Sequence, residues 1–190
     1  MDRAKRKSNR LTGFDYSQNG AYFITICTYD RAVLFDIVGA DFISARDFIS
    51  ARDFISARDF ISARMIADVF ERTIEQYTDV SCPKYVVMPN HFHAIIVIER
   101  DYASVNNDWY KRADIKSAPT ISDVIQAFKR NSTVEYIRMV NQGILPPFNK
   151  KIWQRSFHDH IIRNEKDFQR IWDYIENNPY NWKNDCFYIV

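Results

Sequence analysis

Residues 85 to 99, YVVMPNHFHAIIVIE, leave few folds open. Apolar side chains fill both alternate positions of the run, so as a strand it would be covered on both faces and lie inside a sheet. Pro89-Asn90 interrupts it and predicts a bend or bulge: two short strands, or one kinked strand. The run is too short to span a membrane. It also carries His91 and His93 among Val86, Val87, Ile95, Ile96, Val97 and Ile98, and a buried imidazole needs polar partners.

Around this run the periodicity changes. AYFITICTYD (21–30) is β-rich with an apolar bias on both faces and reads as a central strand, and VLFDIV (33–38) before Gly39 as a second, shorter one. Ile66, Val69, Phe70, Thr73 and Tyr77 fall at helical spacing over 65–77. Polar residues 100–119 read as a loop. Thr120 with Asp123 resembles a capping box, opening a helix to about residue 140 whose inner stripe is Ile121, Val124, Ile125, Phe128 and Met139. After Pro146-Pro147, residues 153–163 read as a strand and 164–178 as a helix stopped by Pro179. Strands interleaved with helices predict one α+β domain over 1–190, an antiparallel sheet with helices on a face.

The composition is that of a folded protein: 46% hydrophobic, 15% aromatic, four glycines. Formal charge is only +2, yet the first ten residues hold Arg3, Lys5, Arg6, Lys7 and Arg10 against one Asp2. Such an arm, over 1–12, suits a polyanion, and equally a frayed terminus. No apolar run reaches a membrane span and no hydrophobic leader precedes the arm, so a cytoplasmic protein is expected. Cys27, Cys82 and Cys186 form no CxxC and read as buried small hydrophobes. Asn131-Ser132-Thr133 matches a glycosylation acceptor by chance in such a setting.

All four histidines occur in His-x-His pairs, His91/His93 and His158/His160. In a strand, residues two apart share a face, so each pair can converge on one metal ion. The second pair sits among Arg155, Ser156, Asp159 and Arg163, where it could instead hydrogen-bond a phosphate or Asp159. No thiolate or HExxH helix completes a zinc set. Two imidazoles with oxygen ligands would leave open positions for a phosphate on Mg²⁺ or Mn²⁺. In the last helix Phe168, Ile171, Trp172 and Ile175 form the inner stripe, and Tyr174 and Asn178 lie on one flank of it, a single turn apart. An amide oxygen can complete a metal site and a phenol beside it can attack phosphorus, while a solvated flank explains both residues as well. Lys129, Arg130, Arg155, Arg163 and Arg170 could meet phosphates or be ordinary surface charge.

Taken together, YVV with MPNHFHAIIVI, AYFITICTYDR, WQRSFHDHIIRNEKDF and YIENNP resemble the REP-associated tyrosine transposases, relatives of the small single-tyrosine HUH transposases, over about Leu11 to Trp182. HUH denotes two histidines around a bulky hydrophobe, here His91-Phe92-His93. The resemblance implies a ferredoxin-like fold with this pair on a central strand and a tyrosine on a helix. It implies His91, His93 and Asn178 as ligands of Mg²⁺ or Mn²⁺, and Tyr174 as nucleophile. Members cut single-stranded DNA beside a hairpin, forming a 5′-phosphotyrosine link and a 3′-hydroxyl that can later rejoin strands without ATP. The basic arm would fit hairpin binding, and His158 and His160 would make DNA contacts or structural hydrogen bonds. A catalytically silent hairpin binder and a phosphoesterase without a covalent step compete with this reading. A monomer and a homodimer, with the tyrosine acting in its own or the partner subunit, are both compatible with it.

DFISAR repeats four times without change over 41–64. As a strand neither face is cleanly apolar, and as a helix the Phe-Ile pair steps by about 240° per copy, which is 120° the other way round, and spirals around the axis. Identity between copies points to tandem duplication of an eighteen-nucleotide unit. One copy suffices to bridge the second strand to the following helix, and the others are expected to extend that helix or form a loop.

Overall fold

A computed structural model describes residues 14–35, 38–39, 60–100 and 119–189. The chain runs β1 (Gly20–Cys27), β2 (Val38–Gly39), α1 (Ile61–Ile74), β3 (Val80–Met88), β4 (His91–Ile98), α2 (Ile121–Asn141), β5 (His158–Ile162) and α3 (Glu165–Asn177). The sheet order is β2-β3-β4-β1-β5 and every pairing is antiparallel. Leaving aside the two-residue β2, a β-α-β-β-α-β chain ordered 4-1-3-2 is the ferredoxin-like arrangement. The expected α+β class therefore holds, with His91 and His93 on the middle strand.

Alternation sorts the sheet into two faces. Tyr22, Ile24 and Ile26 of β1, Phe92, Ala94, Ile96 and Ile98 of β4, and Tyr85 and Val87 of β3 meet α1 and α2. Phe70, Phe92 and Phe128 form the centre of that layer, with ring centroids 4.7 to 5.1 Å apart. On the other face Val86, Met88 and Ile95 receive Ile171 and Ile175 of α3. Helices thus cover both faces, not the single face expected, because Val86, Met88 and Ile95 leave apolar side chains on the second face as well and these need a lid of their own.

The 85–99 run resolves into two strands joined at Pro89-Asn90. Neither turn residue takes a positive φ, so this is not the primed turn that suits a two-residue hairpin. Bonds from elsewhere hold it: Leu34 N and Phe35 N donate to Pro89 O, and Thr28 N and Thr28 Oγ1 to Asn90 O. Those bonds occupy residues 34 and 35, which form no strand; among the described residues the second strand comprises Val38–Gly39. β3 begins at Val80, with a register shift between Ser81 and Lys84 where Pro83 cannot donate to the ladder.

The capping box at Thr120 and Asp123 is formed. α1 starts at Ile61, inside the fourth DFISAR copy, whose Ser62 and Ala63 are buried; the first three copies lie outside the described residues, as do the arm at 1–12 and most of the 100–119 loop. β5 is shorter than 153–163; Trp153 makes only an isolated bridge to Thr28. Of the cysteines, Cys27 is buried, Cys82 half-buried and Cys186 exposed, contrary to the expectation for the last. No helix among the described residues is long and apolar enough to cross a membrane.

Phe92→Ala should destabilise the chain by about 3–5 kcal/mol, because the packed ring layer cannot close around the lost volume. Urea unfolding followed by circular dichroism measures it; a loss below about 1 kcal/mol would contradict this core.

Candidate metal and nucleophile site

His91 and His93 project from β4 onto the α3 face, where burial withholds water from both rings. Asn90 Nδ2 donates to Phe187 O at 2.8 Å, which orients the amide and leaves its Oδ1 facing His91 Nδ1 at 2.9 Å. An amide oxygen only accepts, so Nδ1 carries the proton and His91 Nε2 keeps its lone pair. That nitrogen is buried and without a partner. Thr25 Oγ1, on β1 directly opposite His93, lies 2.8 Å from His93 Nδ1. With Nδ1 engaged there, His93 too turns Nε2 to the site, towards the Tyr174 hydroxyl.

α3 brings the other half. Its Ile171 and Ile175 anchor it on the sheet, and Lys84, buried on β3, reaches Glu176 at 3.6 Å and lies 5.0 Å from the centre of the Trp172 ring. Tyr174 and Asn178, one turn apart, then face the histidines. Tyr174 is 40% exposed, and its hydroxyl is 3.3 Å from His93 Nε2 of the same chain. Asn178 is buried; its Nδ2 donates to Asp185 Oδ2 at 3.0 Å, and its Oδ1 has no partner. The alternative of a solvated flank fails for Asn178.

Asp185, which the sequence reading did not single out, closes the cluster. One carboxylate oxygen accepts from Tyr174 at 3.3 Å and from Asn178; the other accepts from Phe187 N at 2.7 Å. Ligand atoms of His91, His93 and Asp185 lie within 4.8 Å of one another, a spacing at which one metal ion could bind all three. Nothing local marks this aspartate; only the chain's return past α3 and the short 3-10 turn Trp182–Asn184 delivers it.

The electrostatics suit a cation. Burial pushes His91 down to about 4, and it holds His93 well below the usual imidazole range with the help of its neighbour His91. Both rings are therefore neutral donors at neutral pH. Burial, then the Asp185 charge, pushes the Tyr174 phenol up to about 12. An isolated phenol here is a poor nucleophile, and a cation among these donors would offset both causes. The donor set fits a divalent metal: two imidazole nitrogens, a carboxylate and an amide oxygen, two of these atoms buried and otherwise unpartnered.

The remaining candidates scatter. His158 and His160 lie on the same sheet face, opposite Thr25 and Phe23. His160 Nε2 is 2.7 Å from Asp167 Oδ2 on the first turn of α3, whereas Asp159 points to the other face and accepts from Tyr16 at 2.7 Å. His158, Arg155 and Arg163 are exposed. Lys129 turns inward and donates to Gln154 O and Ser156 O, both at 2.9 Å. Arg130 lines a groove of about 340 Å³ between α1 and α2, behind the sheet. Arg3, Lys5, Arg6, Lys7 and Arg10 lie outside the described residues.

No family model matches the chain. An uncharacterized protein of Haemophilus influenzae is 30% identical over 189 residues, 97% of this chain and 93% of that protein. A second Haemophilus influenzae protein, assigned as a REP-associated tyrosine transposase, is 27% identical over 170 residues, 87% of this chain and 73% of its own length. A solved REP-associated tyrosine transposase bound to a REP hairpin superposes with a TM-score of 0.50 at 18% identity, covering 96% of this chain and 74% of that one. The chain is thus similar along nearly its whole length to one relative, over most of its length to a protein assigned as a REP-associated tyrosine transposase, and in fold to a solved member of that group.

Proposed function

We propose that the chain nicks single-stranded DNA beside a hairpin and transfers the strand, with Tyr174 as nucleophile and His91, His93 and Asn178 as ligands of Mg²⁺ or Mn²⁺. Asp185 joins this ligand set. The observation that carries the reading is the pair of buried, unpartnered acceptors, His91 Nε2 and Asn178 Oδ1, beside a tyrosine hydroxyl 3.3 Å from His93 Nε2. Neutral acceptors turned inward without a donor favour a cation there. The DNA partner is supported by the solved relative, which holds a REP hairpin.

A bound divalent ion would lower the cost of the phenolate and of charge on the scissile phosphate. The chain's own residues do the rest. Asn90 and Thr25 hold the imidazoles with Nε2 forward, so no ring has to reorient as substrate arrives. Phe23, stacked on His93 and edge-on to Tyr174, limits how far the phenol can swing. The Tyr174 oxygen forms a bond to phosphorus as the bond from phosphorus to the 3′-oxygen breaks; the phenolic proton is within reach of Asp185, and the departing 3′-oxygen takes a proton from solvent. The phosphoryl group stays on the tyrosine at its 5′ side, and the released 3′-hydroxyl can reverse the step, so no nucleotide cofactor is needed.

Tyr174→Phe should abolish the covalent adduct seen on denaturing gels with a hairpin oligonucleotide carrying a single-stranded flank, while hairpin affinity changes less than about twofold. Undiminished cleavage would sink the assignment, and normal product release would favour a phosphoesterase. EDTA should stop cleavage and leave hairpin binding; a wild-type chain that binds but never cuts with Mn²⁺ would be a binder alone. Thr25→Val keeps shape and removes the oxygen beside His93, so Mn²⁺ affinity by calorimetry should fall about 10–100-fold. An unchanged affinity would mean that His93 needs no such support.

A further inference from the structure

Three non-glycine residues among those described adopt left-handed backbone: Asp30 (φ 57°), Arg31 (φ 54°) and Lys150 (φ 60°). All lie in two loops that touch. Tyr29 N donates to Ile152 O at 2.6 Å, Gln154 N to Cys27 O at 2.9 Å, and Thr28 bridges Trp153. Aspartate visits this region with some ease, but arginine and lysine do so at a cost that glycine would avoid. Strain of this kind persists where the surroundings impose it, and it gathers at working surfaces.

The first loop adjoins the candidate site, and the second packs against the first. Cys27, the last residue of β1, is opposite His91, and Thr28 is bonded to Asn90. Arg31 lies 5.5 Å from the centre of the Phe187 ring, with Nη1 3.5 Å from Cys186 O, and that ring is 4.6 Å from His91. A single aromatic ring thus separates the Arg31 guanidinium from a candidate metal ligand. Lys151 stands 4.6 Å from the Tyr29 ring centre, so an aromatic face steadies its ammonium group. Arg31, Lys150, Lys151 and Arg155 are all exposed, and Asp30 is the acidic residue among them. Lys129, bonded to the carbonyls of Gln154 and Ser156, braces the second loop from below.

We infer that this two-loop ledge seats the phosphates of the single strand that leads into the site, through Arg31, Lys150, Lys151 and Arg155. The inference rests on the DNA reading above and adds the surface along which the strand runs. A strained backbone that fixes exposed cations beside a phosphate-directed site suits a backbone-tracking contact, which needs charge at set positions and no base recognition. The basic arm, by contrast, is not required for it.

Fluorescence anisotropy in EDTA tests the ledge apart from cleavage, with two labelled probes: an oligothymidylate of about 20 nucleotides and a hairpin with an oligothymidylate tail. Lys150→Gly combined with Lys151→Ala and Arg155→Ala should weaken both probes at least about tenfold and lower the slope of log K against log salt by about 2, since each single-strand phosphate contact contributes about 0.7. Lys150→Gly alone should raise the melting temperature while weakening binding. Replacing both lysines by arginine should hold affinity within about twofold, which a packing role would not require. Wild-type binding with an unchanged triple variant of native circular dichroism overturns the ledge alone. A wild-type chain that binds neither probe overturns the DNA reading and the ledge with it.

Discussion

The antiparallel ladder between β1 and β4 is the constraint on which the site depends. It runs without a shift from Gly20 opposite Ile98 to Cys27 opposite His91, and it sets Thr25 against His93. A slip of one residue would turn both imidazoles into the ring layer of Phe70, Phe92 and Phe128 and bring Phe92 onto the α3 face. Such a slip is opposed by every buried aromatic on the helix side, since Phe92 touches Phe70, Tyr85 and Phe128. The core therefore specifies the register, and the register positions the polar groups.

On the α3 face a different balance holds. Two histidines, an asparagine and a threonine are taken out of water in one small region, which costs free energy unless each is paired. Asn90 and Thr25 satisfy one nitrogen of each ring, and Asp185 satisfies one end of Asn178. What is left over is acceptor character: His91 Nε2 and Asn178 Oδ1. The sheet thus spends packing on the far side to keep a small set of lone pairs concentrated on the near side, and this asymmetry is what makes the cluster a site and not a polar defect.

Much of this was legible in the sequence, for identifiable reasons. The two-residue period of a strand puts His91 and His93 on one face whatever the register, and the helical period puts Tyr174 beside Asn178 whatever α3 packs on. The burial of Asn178 was not legible, because the end of a helix before Pro179 reads as exposed. Residues that act across the chain were out of reach: Thr25 meets His93 only through register, and Asp185 arrives by a turn with no pattern of its own. Lys129 read as a surface cation because helical spacing cannot tell that the 153–157 segment folds over it and offers carbonyls. His160 has its partner seven residues on, at Asp167, and not at the adjacent Asp159, because neighbouring strand residues face opposite ways.

The fourth DFISAR copy shows how a conspicuous sequence enters the fold by position. In the fourth copy Phe60 packs against the main core, Ser62 and Ala63 are buried, and Arg64 is exposed, so one register of the hexapeptide meets the first turn of α1. Because the Phe-Ile pair rotates by about 120° per copy around a helix, a preceding copy continuing the same helix would present a different side to the sheet and could not repeat these contacts. Stacked identical units need a period that returns the apolar face to one side, as solenoid repeats have. The hexapeptide lacks it. Its final copy is part of the scaffold through its position next to Met65 and Ile66.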